Sequence, residues 1–182
     1  MPSSTRIPVV PVNRDFSFGV TKLLRDPAIV KHLDLEGQIL EIYVTSSWIA
    51  DDEVIHLEGV AESVHEGILV KANISTNWSG ECVRCLSPAS GDMKVSVIEL
   101  FEERADPEGD SYPFDGDVVD LAEMIKDNLV LELPLVPLCK NDCRGLCQYC
   151  GQNLNIGTCD CKEKVIDPVW QALSELEFPE NS

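Results

Sequence analysis

Apolar and polar residues alternate with a period of two along much of the first two thirds of the chain. Alternating or β-branched runs cover residues 39–44, 54–60, 67–78 and 92–103. Clusters of Ser, Asp, Glu and Gly separate the first three runs, as is typical of short turns between neighbouring strands. The pattern predicts an α+β fold built on an antiparallel β-meander or barrel-like sheet.

Two segments favour short helices beside this sheet. Residues 20–25 can form one or two helical turns before Asp26-Pro27 ends them. Apolar residues then recur with helical spacing from residue 118 to residue 129. We expect Asp117 to cap this second helix and Pro134 to end it.

Three other segments have distinct patterns. Residues 6–18 contain two prolines and some alternation, which predicts an extended edge segment closing at Gly19. Residues 105–116 are acidic and rich in Pro and Gly, without apolar periodicity, so a mobile loop is expected there. Asp167-Pro168 is a typical helix start. The short apolar face that follows should pack on the body, and it comprises Val169, Ala172, Leu173 and Leu176.

Six of the eight cysteines are concentrated near the C-terminal end of the chain. Their spacing is Cys139-x3-Cys143-x3-Cys147-x2-Cys150-x8-Cys159-x-Cys161, and the remaining pair is Cys82-x2-Cys85. Two thiolates set a few residues apart in a tight turn can face one ion. Because Zn²⁺ takes four such ligands in a tetrahedron, each close pair is half of a zinc site.

The spacing also predicts which halves join. Cys147 and Cys150 have Cys159 and Cys161 as their nearest partners, across a loop short enough to close at little entropic cost. Gly151 can adopt the positive φ that turns backbone amides toward the sulfurs. By elimination, a second site then combines the other four ligands, Cys82, Cys85, Cys139 and Cys143.

Disulfides and redox thiols are the alternatives to metal. Disulfides belong to oxidising compartments, and the N-terminal residues lack the apolar core of a secretory signal, so we expect reduced thiols in the cytoplasm. A redox Cys-x-x-Cys should begin a helix in a βαβ unit, whereas Cys82 follows an alternating strand. We therefore expect zinc as the cofactor, with two ions bound.

The formal net charge of −18 restricts the partners that the chain can attract. Residues 34–132 contain 23 acidic and 5 basic residues, whereas residues 1–33 contain 2 and 5. Such a field repels phosphate backbones and favours a basic protein partner. A local rRNA contact would fall on the N-terminal basic arm, whose residues are Arg6, Arg14, Lys22, Arg25 and Lys31. No apolar run approaches the roughly 20 residues that span a bilayer.

Catalytic motifs are not found in the sequence. His32, His56 and His65 show no triad spacing, and no phosphate-binding glycine loop is present. Zinc sites closed by four thiolates do not activate water. We therefore expect neither an enzyme nor a small-molecule substrate, and no catalytic residue is assigned.

Three motifs carry a resemblance to a known family. They are Glu81-Cys-Val-Arg-Cys-Leu86, Leu133-Pro134-Leu-Val-Pro137, and Cys139-x3-Cys143-Arg-Gly-Leu-Cys147-x2-Cys150-Gly-x-Asn153-Leu154-Asn155. From about residue 14 to residue 176 the chain resembles the YceD-like large ribosomal RNA subunit accumulation proteins. The resemblance implies a non-enzymatic factor for synthesis, processing or stability of 23S rRNA in large ribosomal subunit biogenesis. It implies a pre-large-subunit particle or a basic ribosomal protein as partner.

Two domains are predicted from these patterns. Residues 1–138 are expected to form the β-sheet body with its arm, acidic loop and helix. Residues 139–182 are expected to form a cysteine-rich zinc module whose C-terminal helix packs on the body. The alternative function is a thiol-based redox-switched chaperone or sensor, which would release zinc when its thiols are oxidised to disulfides.

Overall fold

The computed structural model describes residues 16–26, 28–106 and 109–161, which form nine strands and two helices. The strands are β1 (Ser17–Gly19), β2 (Val30–Gly37), β3 (Ile42–Tyr43), β4 (Ser47–Ile49), β5 (Ile55–Ser63), β6 (Ile68–Glu81), β7 (Pro88–Glu102), β8 (Tyr112–Pro113) and β9 (Val118–Asp120). The helices are α1 (Thr21–Arg25) and α2 (Ala122–Glu132).

The hairpin of β6 and β7 is the longest feature of the sheet. It pairs residues without a break from Ile68 opposite Phe101 to Glu81 opposite Pro88. Along β6 alternate side chains are buried, as the period-two pattern predicts. The strands predicted over residues 54–60, 67–78 and 92–103 are thus confirmed as β5, β6 and β7.

The other strands of the sheet are arranged around β6. β5 pairs with its first half and β4 with its last residues, while β7 covers its opposite edge. β2 extends the sheet beyond β5, and β3 extends it beyond β4. The sheet curls into a half-barrel, which confirms the predicted antiparallel, barrel-like α+β fold.

The strand predicted over residues 39–44 is wrong in its extent. Only Ile42–Tyr43 is a strand, because Glu41 has a φ of 61° and interrupts the extended backbone. The preceding strand β2 (Val30–Gly37), which pairs antiparallel with β5, was not predicted. Its alternation is weak because only Leu33 is buried among its residues.

One hydrophobic core combines buried side chains of the sheet with those of β1, β9 and the two helices. β1 and β9 pair antiparallel, and Phe16 and Leu23 are buried beside them. On α2 three side chains enter the same core, Met124, Ile125 and Leu129. The predicted helical turns over residues 20–25 are confirmed as α1.

Two expectations for the segment that precedes α2 are wrong. Residues 118–120 form strand β9 rather than helix, and Ala122 donates its N–H to Asp120 Oδ1, so Asp120 and not Asp117 stabilises the helix start. A mobile loop was expected over residues 105–116, but residues 109–116 pack on the rest of the fold. Tyr112 and Pro113 pair with the end of β7, and Phe114 is buried in the core.

The described residues divide into two units, the first ending at Cys143 and the second beginning at Arg144. The predicted boundary at residues 138/139 stays a prediction. The N-terminal part of the predicted edge segment, residues 6–15, and the predicted C-terminal helix lie outside the described residues. Neither α1 nor α2 has the length and apolar character needed to cross a bilayer.

Candidate metal centres

The first cysteine pair lies at the tip of the β6–β7 hairpin. Cys82 N–H donates to the Ser87 carbonyl at 2.9 Å, and Leu86 N–H donates to the Cys82 carbonyl at 2.8 Å. Leu86 has a φ of 57°, the left-handed conformation that closes so tight a turn. The two sulfurs of Cys82 and Cys85 are therefore held on a rigid strand connection.

The segment that follows α2 brings the second pair to the same tip. Ser47, fully buried on β4, donates its hydroxyl to the Pro134 carbonyl at 2.9 Å. Val83 N–H, at the hairpin tip, donates to the Pro137 carbonyl at 3.0 Å. Arg84 then donates from Nη1 to the Cys143 carbonyl at 3.0 Å. These three hydrogen bonds fix the path of residues 134–143 against the tip.

The resulting group comprises Cys82, Cys85, Cys139 and Cys143, whose sulfurs all lie within 4.8 Å of one another. The Sγ atoms of Cys82 and Cys143 are 3.7 Å apart, and those of Cys85 and Cys139 are 3.5 Å apart. A disulfide would bring two sulfurs to about 2.05 Å. A tetrahedron with Zn–S bonds of about 2.3 Å has sulfur-to-sulfur edges of about 3.8 Å. The donor set fits a tetrathiolate metal site.

The thiols of this group differ in how readily they ionise. Burial opposes ionisation of Cys82, but the N–H groups of Cys139, Arg84 and Cys85 directed at its sulfur lower its pKa to about 6. The hydrogen bond with Cys85, and then burial, raise the pKa of Cys139 to about 12. The Cys82 thiol thus ionises easily, whereas the Cys139 thiol stays protonated. A second negative charge so close to the first is unfavourable without a cation.

The second group lies in the unit that begins at Arg144. Cys147 N–H donates to the Gln152 carbonyl at 2.8 Å, and Gly151 N–H donates to the Cys147 carbonyl at 2.9 Å. Gly151 has the predicted positive φ, 74°, and the Tyr149 N–H donates to Cys147 Sγ at 3.4 Å. This turn is a cysteine knuckle that directs backbone amides at a sulfur.

The remaining ligands of the second group come from the loop that ends at Cys161. The four sulfurs of Cys147, Cys150, Cys159 and Cys161 all lie within 4.8 Å of one another. N–H groups of Cys150 and Tyr149 lower the pKa of Cys147 to about 6. The contact with the Cys150 sulfur, and then burial, raise the pKa of Cys161 to about 12. The second group therefore repeats the electrostatic pattern of the first.

Two asparagines hold the loop of the second group in shape. Asn155 Oδ1 accepts from the Arg144 N–H at 2.9 Å, and Asn153 Oδ1 accepts from the Asn155 N–H at 2.9 Å. Leu154 N–H also donates to the Gly145 carbonyl at 2.9 Å. In the sequence these asparagines were noted only as part of a motif, and their hydrogen bonds were not predicted.

The structure brings all eight predicted cysteine ligands into two groups of four, with the grouping that the spacing predicted. The hydrogen bonds by which Ser47 and Arg84 hold the segment after α2 were not predicted. Of the basic arm, Lys22 and Arg25 are exposed on α1, and Lys31 donates to the Gly19 carbonyl. Arg6 and Arg14 lie outside the described residues.

Comparison of the sequence with known proteins identifies the family of this chain. The family model described as "Large ribosomal RNA subunit accumulation protein YceD" matches residues 70–177. The match spans more than half of the chain and contains all eight cysteines. The chain belongs to the YceD family.

Relatives of the chain occur in mycobacteria and in plants. An uncharacterized protein of Mycobacterium tuberculosis is 36% identical over 134 residues, which are 70% of this chain and 64% of that protein. One from Mycobacterium leprae is 31% identical over 174 residues, 90% of this chain and 78% of that protein. The chain thus spans just under two thirds of the Mycobacterium tuberculosis relative.

A plant relative has a functional name. The Arabidopsis thaliana "Large ribosomal RNA subunit accumulation protein YCED homolog 1, chloroplastic" is 32% identical over 65 residues, 36% of this chain and 20% of the plant protein. No solved structure matches the chain significantly. The family assignment therefore comes from sequence, and the geometry of the two cysteine groups comes from this structure.

Proposed function

We propose that this YceD-family chain is a non-enzymatic zinc-binding factor required for synthesis, processing or stability of 23S rRNA in large ribosomal subunit biogenesis. Family membership is the observation that carries the proposal, because the matched residues 70–177 include both cysteine groups. The names of the family and of its plant relative supply the rRNA role. We propose the cytoplasm as its location.

Zinc is the metal that suits the two groups best. All eight donors are thiols, and soft thiolates select zinc over the hard cations that prefer oxygen ligands. The sulfur spacing of the first group is that of a tetrahedral tetrathiolate site. When bound, the metal would supply structural cross-links between chain segments. With four protein ligands for each ion, no coordination position is left for a substrate or an activated water.

The absence of an enzymatic role is also part of the proposal. Among the described residues, the histidines His32, His56 and His65 are all exposed, and the His56 ring pairs with Glu36 at 3.3 Å. Contacts of this kind at the surface contribute little to stability. We therefore propose that the chain acts by binding and has no small-molecule substrate.

The charge of the chain indicates the kind of partner. A net charge of −18 attracts a basic ribosomal protein, alone or within a pre-large-subunit particle, and repels free RNA. An rRNA contact would have to be local, at the basic N-terminal arm. Lys22 and Arg25 of that arm are exposed on α1, and its Lys31 lies on β2.

A redox-switched chaperone or sensor is the second candidate. Cys139, Cys150 and Cys161 are exposed, so an oxidant can reach ligands of both groups. Mild peroxide followed by a zinc-release assay separates the two functions. Rapid release with a gain of holdase activity would favour the switch, and inert zinc favours the rRNA factor.

Depletion of the protein tests the proposal. We expect the ratio of 23S to 16S rRNA to fall, and an intact copy of the gene to restore it. A copy with Cys147→Ser should restore the ratio poorly, whereas the exposed control variant Gln148→Ala should restore it fully. A normal rRNA ratio in depleted cells would contradict the role.

A further inference from the structure

One edge of the longest hairpin is open. Among the described residues, β6 covers one edge of β7 from end to end, and the opposite edge meets only β8, at Phe101 and Glu102. Within the described ranges, no other backbone partner is found on that edge for residues 88–100. In an antiparallel strand every second residue directs both its N–H and its C=O to the same edge. β7 therefore offers a continuous row of backbone donors and acceptors.

The open edge is regular and rigid. Its register with β6 is unbroken, so it contains no bulge that would twist it away from an added strand. Met93 and Val97 are buried and fix β7 on the core. On the other face of β7 the side chains are mostly polar, with Lys94 among them and Ile98 68% exposed. A lysine at this position is a common device against pairing of two identical edges.

An acidic cavity of about 750 Å³ lies at the end of the open edge, where β8 begins. Its carboxylates come from β7, from α2 and from the loop between β7 and β8, and they are Glu99, Asp106, Asp110, Glu123 and Asp127. Among the ion pairs of the described residues, none includes Glu99, Glu123 or Asp127. Lys126, the basic residue of α2, directs its Nζ to the Leu40 carbonyl at 3.4 Å instead.

Tyr112 lines this cavity and is influenced by the negative charge of its carboxylates. Its hydroxyl donates to Asp127 Oδ2 at 3.2 Å. Burial, and then the negative charges of Asp127, Glu99 and Glu123, raise the pKa of Tyr112 to about 12. The cavity thus disfavours any added negative charge and favours a cation.

We propose that the open edge of β7 binds an extended, basic segment of a protein partner as an added strand, with a Lys or Arg side chain of that segment in the acidic cavity. The inference rests on the proposed function, in which the partner is a basic ribosomal protein. Backbone pairing would supply affinity along residues 88–100, and the cavity would supply selection for positive charge. An RNA strand does not fit, because its phosphates would meet the carboxylates.

The edge of β2 provides an internal comparison. β2 pairs only with β5 and is a second open edge among the described strands, but it is shorter, Val30–Gly37. On β2 itself the Lys31 Nζ lies 5.1 Å from the centre of the Phe18 ring. The cavity at the start of β2 is lined by Lys22 and Lys31 and by no carboxylate. A basic segment should therefore prefer β7.

The probe is a synthetic peptide of about ten residues in which lysine alternates with threonine, a length and pattern suited to one strand. A nitroxide at one end broadens the amide signals of the full-length protein that lie nearby. We expect broadening over residues 89–100 and not over residues 30–37. A peptide methylated on alternate backbone nitrogens, on the edge that faces β7, should bind at least about tenfold more weakly because its donors are lost.

Matched charge variants test the cavity. The triple variant Glu99→Gln, Glu123→Gln, Asp127→Asn should weaken binding of the unmethylated peptide by about tenfold. The control Asp34→Asn, Glu58→Gln, Glu66→Gln removes the same charge from exposed positions elsewhere and should weaken binding by less than about twofold. Equal weakening by both variants would show general attraction only and overturn the proposal.

Other occupants of the edge would also overturn it. One is the chain's own residues 1–15, revealed by slow exchange of every second amide of β7 in the free monomer. Another is a second copy, revealed by protection that rises with protein concentration. If the triple variant still restores the rRNA ratio in depleted cells and the peptide does not bind, the edge assignment is wrong while the rRNA role stands. A normal ratio on depletion overturns the role itself.

Discussion

The Sγ atoms of Cys82 and Cys143 lie 3.7 Å apart although 61 positions separate the two residues in the chain. Both side chains are buried, so their contact fastens the β6–β7 hairpin tip to the segment that follows α2. A metal bound here would stabilise the folded chain over the unfolded chain, because the unfolded chain has no preformed site. A metal bound by the first group would therefore strengthen a core that already exists.

The second group should be more dependent on its metal than the first. Among residues 144–161, Leu146 and Leu154 are only half-buried and Ile156 is 84% exposed. Structural zinc contributes about 10–16 kcal/mol in small metal-held modules. Cys147→Ser should therefore speed amide exchange throughout residues 144–161, as measured by mass spectrometry.

Cys82→Ser is the matched variant for that experiment. Both β6 and β7 are held by their mutual pairing and by side chains in the core, so we expect the amides of both strands to stay protected in Cys82→Ser. Protection of residues 144–161 that is unchanged in Cys147→Ser would show that a core other than the metal site holds the second unit.

Zinc binding should release protons at neutral pH. The pKa values of Cys139 and Cys161 are raised to about 12, so in the metal-free folded chain both thiols are protonated at pH 7. Cys82 and Cys147, with pKa values lowered to about 6, are already largely ionised. Because one of the four thiols in each group is already ionised, we expect about two to three protons released for each ion, and a zinc affinity that rises with pH. Calorimetric titration in buffers of different ionisation enthalpy measures this number, and a value near zero would exclude thiol ligands.

Asn155→Ala should weaken the second site without removing a ligand. The variant loses the acceptor for the Arg144 N–H, and one such hydrogen bond contributes about 0.5–1.5 kcal/mol. Zinc transfer from the protein to a coloured chelator should therefore be about 2–10 times faster. Gln148→Ala, an exposed position in the same loop, should leave the transfer rate unchanged. Equal rates for Asn155→Ala and the parent chain would show that the asparagine does not support the site.

Phe114→Ala tests whether the acidic segment before β9 is packed. Phe114 is 6% exposed within the core, and truncation of a buried Phe costs about 3–5 kcal/mol. The free energy of unfolding measured in urea should fall by about that amount. Val118→Ala, at a side chain that is 50% exposed, should change it by less than about 1 kcal/mol. Similar effects of the two substitutions would mean that residues 109–116 do not pack on the core in solution.

The sequence was most informative where the determining contacts are local. The knuckle of Cys147, Cys150 and Gly151 follows from spacing and from the φ that glycine permits, and both were predicted. The strands β5, β6 and β7 follow from period-two alternation. Cys82 and Cys143 were assigned to the same group only because the other four cysteines had already been paired. Nothing in the local sequence shows that the segment after α2 returns to the hairpin tip.

The remaining features depend on tertiary contacts. β2 was missed because Leu33 is its only buried residue, so its alternation is weak. Residues 118–120 carry the helical apolar spacing of α2, but pairing with β1 makes them a strand. The open edge of β7 and the acidic cavity cannot be read from sequence, since each is defined by which strands and carboxylates the fold brings together.

Metal content measured on the intact protein tests the central claim most directly, namely that eight cysteines close into two zinc sites. Native mass spectrometry of protein purified without chelator should show two zinc ions for each chain, and X-ray absorption should show four sulfur ligands at about 2.3 Å around each ion. Disulfide-linked, metal-free protein from reducing cells, or nitrogen or oxygen ligands at the metal, would contradict the account.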